Sequence, residues 1–365
     1  MPAAVVVGAG IGGVAAAVAL QQCGWRVTVL ERAPVLGEVG AGLSIWPSAA
    51  VALRQLGVRG IEPGVLPTGA SGLRTESGRW IIHGSALGAQ VPVMIHRSRL
   101  HDRITDQFGP GITIRTGYTV TGVDLDESGA TVIGTGEQLR ADLVVGADGL
   151  RSVVRTALHP EYPDSQYSGY TSYRGLVELD TADGGGETWG SGRRFGFARL
   201  EDGRIYWYAT ANQREHEPGD LAAVREGFAT WHEPIPAILG AARQLLQTDI
   251  HDLALPLVPF VTGRVVLLGD AAHAMTPNLG RGACSTIEDA GALARHLGGT
   301  SDLASALTAY DLERRQATTR LVRRSRRVGQ VGQLENRFLR GARDNLAALG
   351  GKLASARATL GPTRT

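Results

Sequence analysis

Residues 3–7, AAVVV, form a short run with no polar position, as a strand covered on both faces requires, and Ile11, Val14 and Val18 then recur at helical spacing. A second apolar run, RVTVLE from Arg26 to Glu31, follows, so the opening of the chain predicts a βαβ unit. The segment PSAAVALRQLG predicts a helix entered through Pro47 and stopped at Gly57, and HRSRLHDRITDQF predicts an amphipathic helix from about Ser98. ADLVVGADG predicts a strand that ends in a glycine turn. Between Gly169 and Phe260 the texture changes: RRFGFARL, a turn at Glu201, Asp202 and Gly203, and RIYWYATA predict two antiparallel strands. The apolar strand pattern returns in GRVVLLGD, and helical segments run from about Leu303 to Leu349.

This order predicts an α/β protein. A Rossmann-like nucleotide-binding domain takes residues 1–70, 95–165 and 261–300, a mostly antiparallel sheet at 71–94 and 166–260 is inserted into it, and C-terminal helices occupy 301–365. A chain of 365 residues exceeds a usual single domain and supports two with ample core. The formal charge of +2 gives no electrostatic argument for nucleic acid. Lys352 is the only lysine. Cys23 and Cys284 are the only cysteines and lie far apart, which supports neither a disulfide framework nor a cysteine metal site and suits a reducing cytoplasm. The apolar N-terminus lacks the charged start of a signal peptide, and no other run approaches the length that spans a bilayer, so a soluble protein without a membrane span is expected.

Gly8-Ala9-Gly10-Ile11-Gly12-Gly13 matches G-x-G-x-x-G directly after a strand and at the opening of a helix. Gly8 permits the tight turn, Gly10 lets a pyrophosphate approach the backbone, and Gly13 lets helix and sheet pack closely. Free N–H groups and the helix dipole then hold the anion. Glu31 ends the second strand, 21 residues after Gly10, where its carboxylate can accept from both ribose hydroxyls and would repel a 2′-phosphate. The dinucleotide expected here is therefore NAD-like or FAD.

Two further glycine turns follow strands. Leu143 to Val145 lead into Gly146-Ala147-Asp148-Gly149, then Arg151, Ser152 and Arg155; taken alone, this reads as a strand, a turn and a helix with an exposed arginine. RVVLL leads into GDAAHAMTPNLGRGACSTIEDAGALARHL, in which Ala283, Ile287, Ala290, Ala294 and Leu297 give a helix from near Gly282 a narrow apolar stripe. With the first turn, these segments resemble the DG and GD…P-x-x-G-x-G fingerprints of the para-hydroxybenzoate hydroxylase family, the class A FAD monooxygenases, in its urate hydroxylase, salicylate hydroxylase and zeaxanthin epoxidase-like branch. The resemblance covers nearly the whole chain, including GAGLSIWPSAAVALRQLG and HRSRL.

The resemblance implies bound FAD and a transient NADH or NADPH. The cofactor-binding residues implied are Gly8, Gly10, Ile11, Gly13, Glu31, Arg32, Gly42, Arg97, Asp148, Gly149, Asp270, Pro277, Gly280, Gly282, Ala283 and Cys284. Asp270 would accept from the ribityl side, and the helix N-terminus near Gly282 would face N1 and C2=O of the ring, where its partial positive charge favours the anionic reduced flavin. Ser48 replaces a frequent asparagine and Arg281 a frequent glutamine of this family.

Candidate catalytic residues are Arg174, Tyr206, Tyr208 and Pro277. Arg174 faces substrate, as a polar residue does in some members, or is an ordinary surface arginine. Tyr206 and Tyr208 share one strand face, the roof of an aromatic pocket or plain core. His273 is read as a backbone-bonding histidine, Cys284 as packing, and LERRQATTRLVRRSRR as a solvated face. WHEPIP misses the flavin halogenase W-x-W-x-I-P, and no second G-x-G-x-x-G is present for a resident nicotinamide. The resemblance thus implies hydroxylation of an aromatic or heteroaromatic small molecule by O2 through a C4a-hydroperoxyflavin, in a monomer or homodimer. Epoxidation of an alkene, or a flavin-binding protein or reductase without oxygenation, are the alternatives.

Overall fold

The computed structural model describes residues 1–37, 42–61, 72–84, 92–127, 129–181 and 185–359, with side chains described as far as residue 351. The expected domain junction at 70 and 71 and the side chain of Lys352 lie outside the described residues.

The chain begins with β1 (Ala3–Val7), α1 (Ile11–Gln22) and β2 (Arg26–Leu30), then β3 (Gly42–Ile45) and α2 (Pro47–Gln55). β4 (Gly72–Thr75), β5 (Trp80–His83), β6 (Val93–His96), α3 (Arg97–Thr105) and β7 (Ile112–Arg115) follow. Three strands, β8 (Val120–Asp126), β9 (Gly129–Gly134) and β10 (Leu139–Ala141), precede β11 (Leu143–Gly146) and α4 (Val153–Leu158). The next region holds β12 (Ser165–Val177), β13 (Gly185–Trp189), β14 (Arg193–Arg199), β15 (Ile205–Asn212), α5 (Leu221–Phe228), α6 (Ile235–Ala241) and β16 (Leu246–Leu253). The chain closes with β17 (Val261–Thr262), β18 (Val265–Leu267), α7 (Asp270–His273), α8 (Gly282–Gly299), α9 (Leu303–Gly332) and α10 (Arg337–Thr359).

A six-stranded sheet runs β17-β18-β11-β1-β2-β7, parallel except for β17. Its two faces explain the unbroken apolar run of β1. Val6 packs on one side with α1, α2 and α8, while Val5 and Val7 pack on the other with Val144, Val154 and Leu267. Burying each valine contributes roughly 1.5–3 kcal/mol, so a polar residue on either face would be costly. The small antiparallel sheet β10-β9-β8, which the periodicity did not single out, covers this second side.

The second large sheet runs β16-β12-β15-β14-β13-β4-β5 and is antiparallel apart from the β13–β4 pair. One of its faces forms a core of its own: Phe195 stacks on Trp207 at 6.0 Å, and Phe228, Trp231 and Ile235 from the α5–α6 region close over them. The opposite face carries Tyr206 and Tyr208, as strand alternation requires. Among the described residues no helix is long and apolar enough to cross a membrane.

Candidate functional site

Four adjacent parallel strands end in register. Leu30 of β2 pairs with Val7 of β1, Val7 with Gly146 of β11, and Gly146 with Leu267 of β18. Each of the three glycine turns therefore leaves the sheet at the same carboxyl edge, where doubly wound sheets bind ligands.

The first turn needs its glycines. Gly8 has φ 99°, and a Cβ there would lie 2.5 Å from Ala147 O in the second turn. A Cβ on Gly13 would lie 1.8 Å from Gly8 O, so α1 can close on the turn only without one. Glu31 braces this loop: its two carboxylate oxygens accept from Ala9 N at 2.8 Å and Ala33 N at 2.9 Å. A carboxylate has about four acceptor positions, so capacity for ribose hydroxyls remains. The Nε2 atom of His101, buried in α3, donates to Ala9 O at 2.8 Å and holds the turn from the other side. Gly10, the N-cap residue of α1, makes no side-chain capping bond, and a helix N-terminus at this edge favours an anion.

The second turn is held from within. Asp148 accepts from Ser152 Oγ and from Val154 N at 3.1 Å, so its carboxylate secures the start of α4. Burial pushes that carboxyl's pKa up against these hydrogen bonds. Gly149 has φ 80° and open space around it. Of the two arginines in this segment Arg151 is exposed, whereas Arg155 is buried, donating to Leu150 O at 2.6 Å and to Ala271 O in α7 at 2.9 Å. The second turn is thereby tied to the third.

In the third segment the surroundings of α7 are buried, yet Asp270, Pro277 and Gly280 are exposed. Gly269, with φ 60°, donates its N–H to Asp289 of α8 at 2.9 Å. Asp289 also holds His273 Nε2 and Arg314 Nε, each at 2.6 Å, and is fully buried. Burial alone would raise its pKa, but the His273 and Arg314 contacts win and hold it below the usual aspartate value. His273 is thus a partner of a buried carboxylate, not the backbone-bonding residue expected. The helix does start at Gly282, with no side-chain cap and open space beside that glycine. Its stripe differs from expectation: Ala283, Ala294 and Leu297 are only partly buried, while Cys284, Ser285, Asp289 and Ala292 are buried, because α1, α2 and α9 all pack against it. Cys284 donates to Ser44 O at 3.1 Å and accepts from Trp46 N, and burial pushes its thiol up to about 11. The two departures noted at Ser48 and Arg281 meet: both terminal nitrogens of Arg281 donate to Ser48 Oγ at 3.2 Å, and one also pairs with Glu288.

β3 pairs with β6 so that Gly42 stands opposite His96, which places Arg97, the first residue of α3, beside it. Arg32 is exposed just past Glu31. A Cβ on Gly42 would fall 2.8 Å from the Tyr206 ring, so the antiparallel sheet docks on β3 through this tyrosine. One row across that sheet reads Glu187, Gly196, Tyr208, Arg174. Tyr208 lies flat over Gly196, whose Cβ would fall 2.3 Å from the ring. Burial pushes both phenols up, and for Tyr208 the Glu187 carboxylate adds to this. Next to the row, the buried Arg194 donates to Asn278 of the Pro277 loop, to Gln333 at the C-terminal cap of α9 at 3.1 Å, and to Glu187 at 3.3 Å.

Arg155, His101, Arg194 and Asp289 were not picked out by spacing, since each has a partner 16 to 139 residues away. Two helix N-termini at one edge, an exposed Asp270, and the Trp46 Nε1 donor, buried without a partner among the described residues and 3.9 Å from a Cβ on Gly280, suit a long polar cofactor such as FAD. Among the described residues no group of three His, Cys, Asp or Glu could hold a metal ion.

A family model described as "FAD binding domain" matches residues 2–325. The aurachin C monooxygenase/isomerase of Stigmatella aurantiaca is 38% identical over 360 residues, spanning 93% of this chain and 92% of that one. The FAD-dependent urate hydroxylase of Klebsiella pneumoniae is 32% identical over 350 residues, spanning 89% and 88%. The solved structure of Klebsiella pneumoniae HpxO with FAD and uric acid superposes with a TM-score of 0.86 at 29% identity, over 97% of this chain and 95% of that one.

Proposed function

The chain belongs to the FAD-binding family of FAD-dependent monooxygenases, and from that premise we propose that it is a single-component hydroxylase. It takes NADH or NADPH, O2 and an aromatic or heteroaromatic small molecule. The observation that carries the reading is the convergence of three glycine turns at one edge of the parallel sheet, facing a second sheet that presents Tyr206, Tyr208 and Arg174. The proposed division is a nucleotide domain of residues 1–70, 95–165 and 261–300, a substrate sheet of 71–94 and 166–260, and C-terminal helices of 301–365.

When bound, FAD supplies hydride acceptance and oxygen activation. The protein's part is binding, orientation and exclusion of water. The Gly8 to Gly13 turn and the α1 N-terminus bind the pyrophosphate, Glu31 the ribose, and Asp270 the ribityl chain, with Arg32, Gly42, Arg97 and Gly149 lining the path. The α8 N-terminus beyond Pro277 and Gly280 supplies partial positive charge to the ring. Tyr206, Tyr208 and Arg174 orient the substrate. The phenols stay protonated at neutral pH and so serve as hydrogen-bond donors. Cys284 packs beneath the ring and takes no part in transfer, since its thiol ionises only near 11. A cytoplasmic monomer or homodimer suits the two free thiols.

Purified protein assayed with NADH or NADPH against phenols and N-heteroaromatics, under isotopically labelled oxygen gas, tests this. The expected result is substrate-stimulated turnover with one labelled oxygen in the product. Nicotinamide oxidation that no ring compound stimulates would contradict it.

A further inference from the structure

The last helix turns its greasy side to water. On α10, Leu339, Ala342, Leu346 and Leu349 follow one another at intervals of three, four and three residues, which sets them on a single face. Leu339 is 54% exposed, Leu346 70%, Leu349 56%, and the neighbouring Phe338 72%. The inward face is accounted for separately. Arg340 pairs with Glu76 at 3.0 Å, Arg343 lies 5.1 Å from the centre of the Trp189 ring and donates to Gly332 O at 3.3 Å, and Gly351 sits against Ile82. Isolated exposed leucines are ordinary, but a continuous stripe with an aromatic at its head marks an interaction surface.

Charge selects the occupant. Of the eight arginines in residues 316–351, Arg326, Arg340 and Arg343 pair with Asp252, Glu76 and Asp344, which leaves five against Glu335, in a chain whose whole formal charge is +2. Arg320, Arg323, Arg324 and Arg327 are exposed on α9 just before the turn into α10, and Arg337 stands over the Phe338 ring at 4.8 Å. A second copy would bring an equally basic arm against this one, which costs energy, whereas an anionic surface gains from each exposed arginine. Nucleic acid would leave the aliphatic side chains in water. An exposed stripe of Phe and Leu beside the exposed arginines of α9 and Arg337 matches the requirements of a bilayer interface, where apolar side chains enter the acyl boundary and arginines meet phosphates.

We infer that α10, with the arginine-rich end of α9, is a peripheral docking surface for anionic phospholipid membranes, separate from the flavin groove. The full-length FAD-loaded protein is sedimented with vesicles of phosphatidylglycerol and phosphatidylcholine, and with vesicles of phosphatidylcholine alone. It is expected to bind the first and not the second, with binding falling as salt rises. The pair Leu346→Ser and Leu349→Ser should weaken binding by about tenfold or more at unchanged melting temperature. Phe338→Trp should give emission that shifts to the blue with the anionic vesicles. Arg324→Gln with Arg327→Gln should weaken binding and flatten its salt dependence. No sedimentation with the anionic vesicles overturns the inference, as does wild-type binding by the leucine pair. So does a dimer in light scattering that the leucine pair dissolves while vesicles stay unbound, which would assign the stripe to a second copy.

Discussion

Glu31 bonds Ala9 and Ala33, so the first turn has its shape before any dinucleotide arrives. Replacing Glu31 by Ala removes both the brace and the proposed ribose acceptor. Hydrogen bonds to charged groups contribute about 1.5–3 kcal/mol, so FAD affinity should fall by about tenfold or more in a fluorescence titration of apoprotein. The place of Glu31 beside the first turn was readable because its distance from Gly10 is fixed by the βαβ unit. His101 and Arg155 were not, because a buried histidine and a buried arginine carry no periodic mark until the fold brings Ala9 and Ala271 to them. Cys284 gives a second prediction. It is fully buried with its thiol pushed up to about 11, whereas Cys23 is partly exposed. At pH 8 an alkylating reagent should modify Cys23 first and reach Cys284 only after denaturation, as peptide mass mapping would report.

α8 is held at three sides, and its hinge to the third turn is the buried Asp289 with His273, Arg314 and Gly269 N. Asp289→Asn leaves the buried Arg314 guanidinium with the longer 3.4 Å contact to Glu288 in place of the 2.6 Å pair and should destabilise the protein by up to about 3–5 kcal/mol in denaturant unfolding. The native Asp289 pKa is depressed, so this contribution is full above the unfolded aspartate value of about 3.9 and is lost as pH falls through the lower native value. The acid limb of a stability–pH profile should therefore be shallower in Asp289→Asn. At α4, Ser152 caps the helix by accepting from Arg155 N at 2.9 Å, and Ser152→Ala should cost about 1 kcal/mol. The sequence pattern located α8 and its first residue because a glycine-rich turn meets a helical period. It misjudged the stripe because a helix with neighbours on several sides buries polar positions such as Ser285 and Asp289, which an amphipathic reading assigns to water.

Across the whole molecule, Arg194 joins three parts that sequence separates: the antiparallel sheet, the Asn278 loop and α9. The strand pattern anticipated two sheets and the shared face of Tyr206 and Tyr208, since alternation fixes which residues travel together. It left open which face that was. The structure decides it by filling the other side with Phe195, Trp207 and Phe228 and resting Tyr206 on Gly42. In the proposed reading, Gly10, the Asp148–Gly149 turn and the Asp270–Gly282 segment line one groove for one FAD. A crystal structure of the protein grown with FAD tests it most directly. The account predicts the pyrophosphate at the Gly8–Gly13 turn, a ribose at Glu31 and the ring against the N-terminus of α8; FAD bound away from any of these three would contradict it.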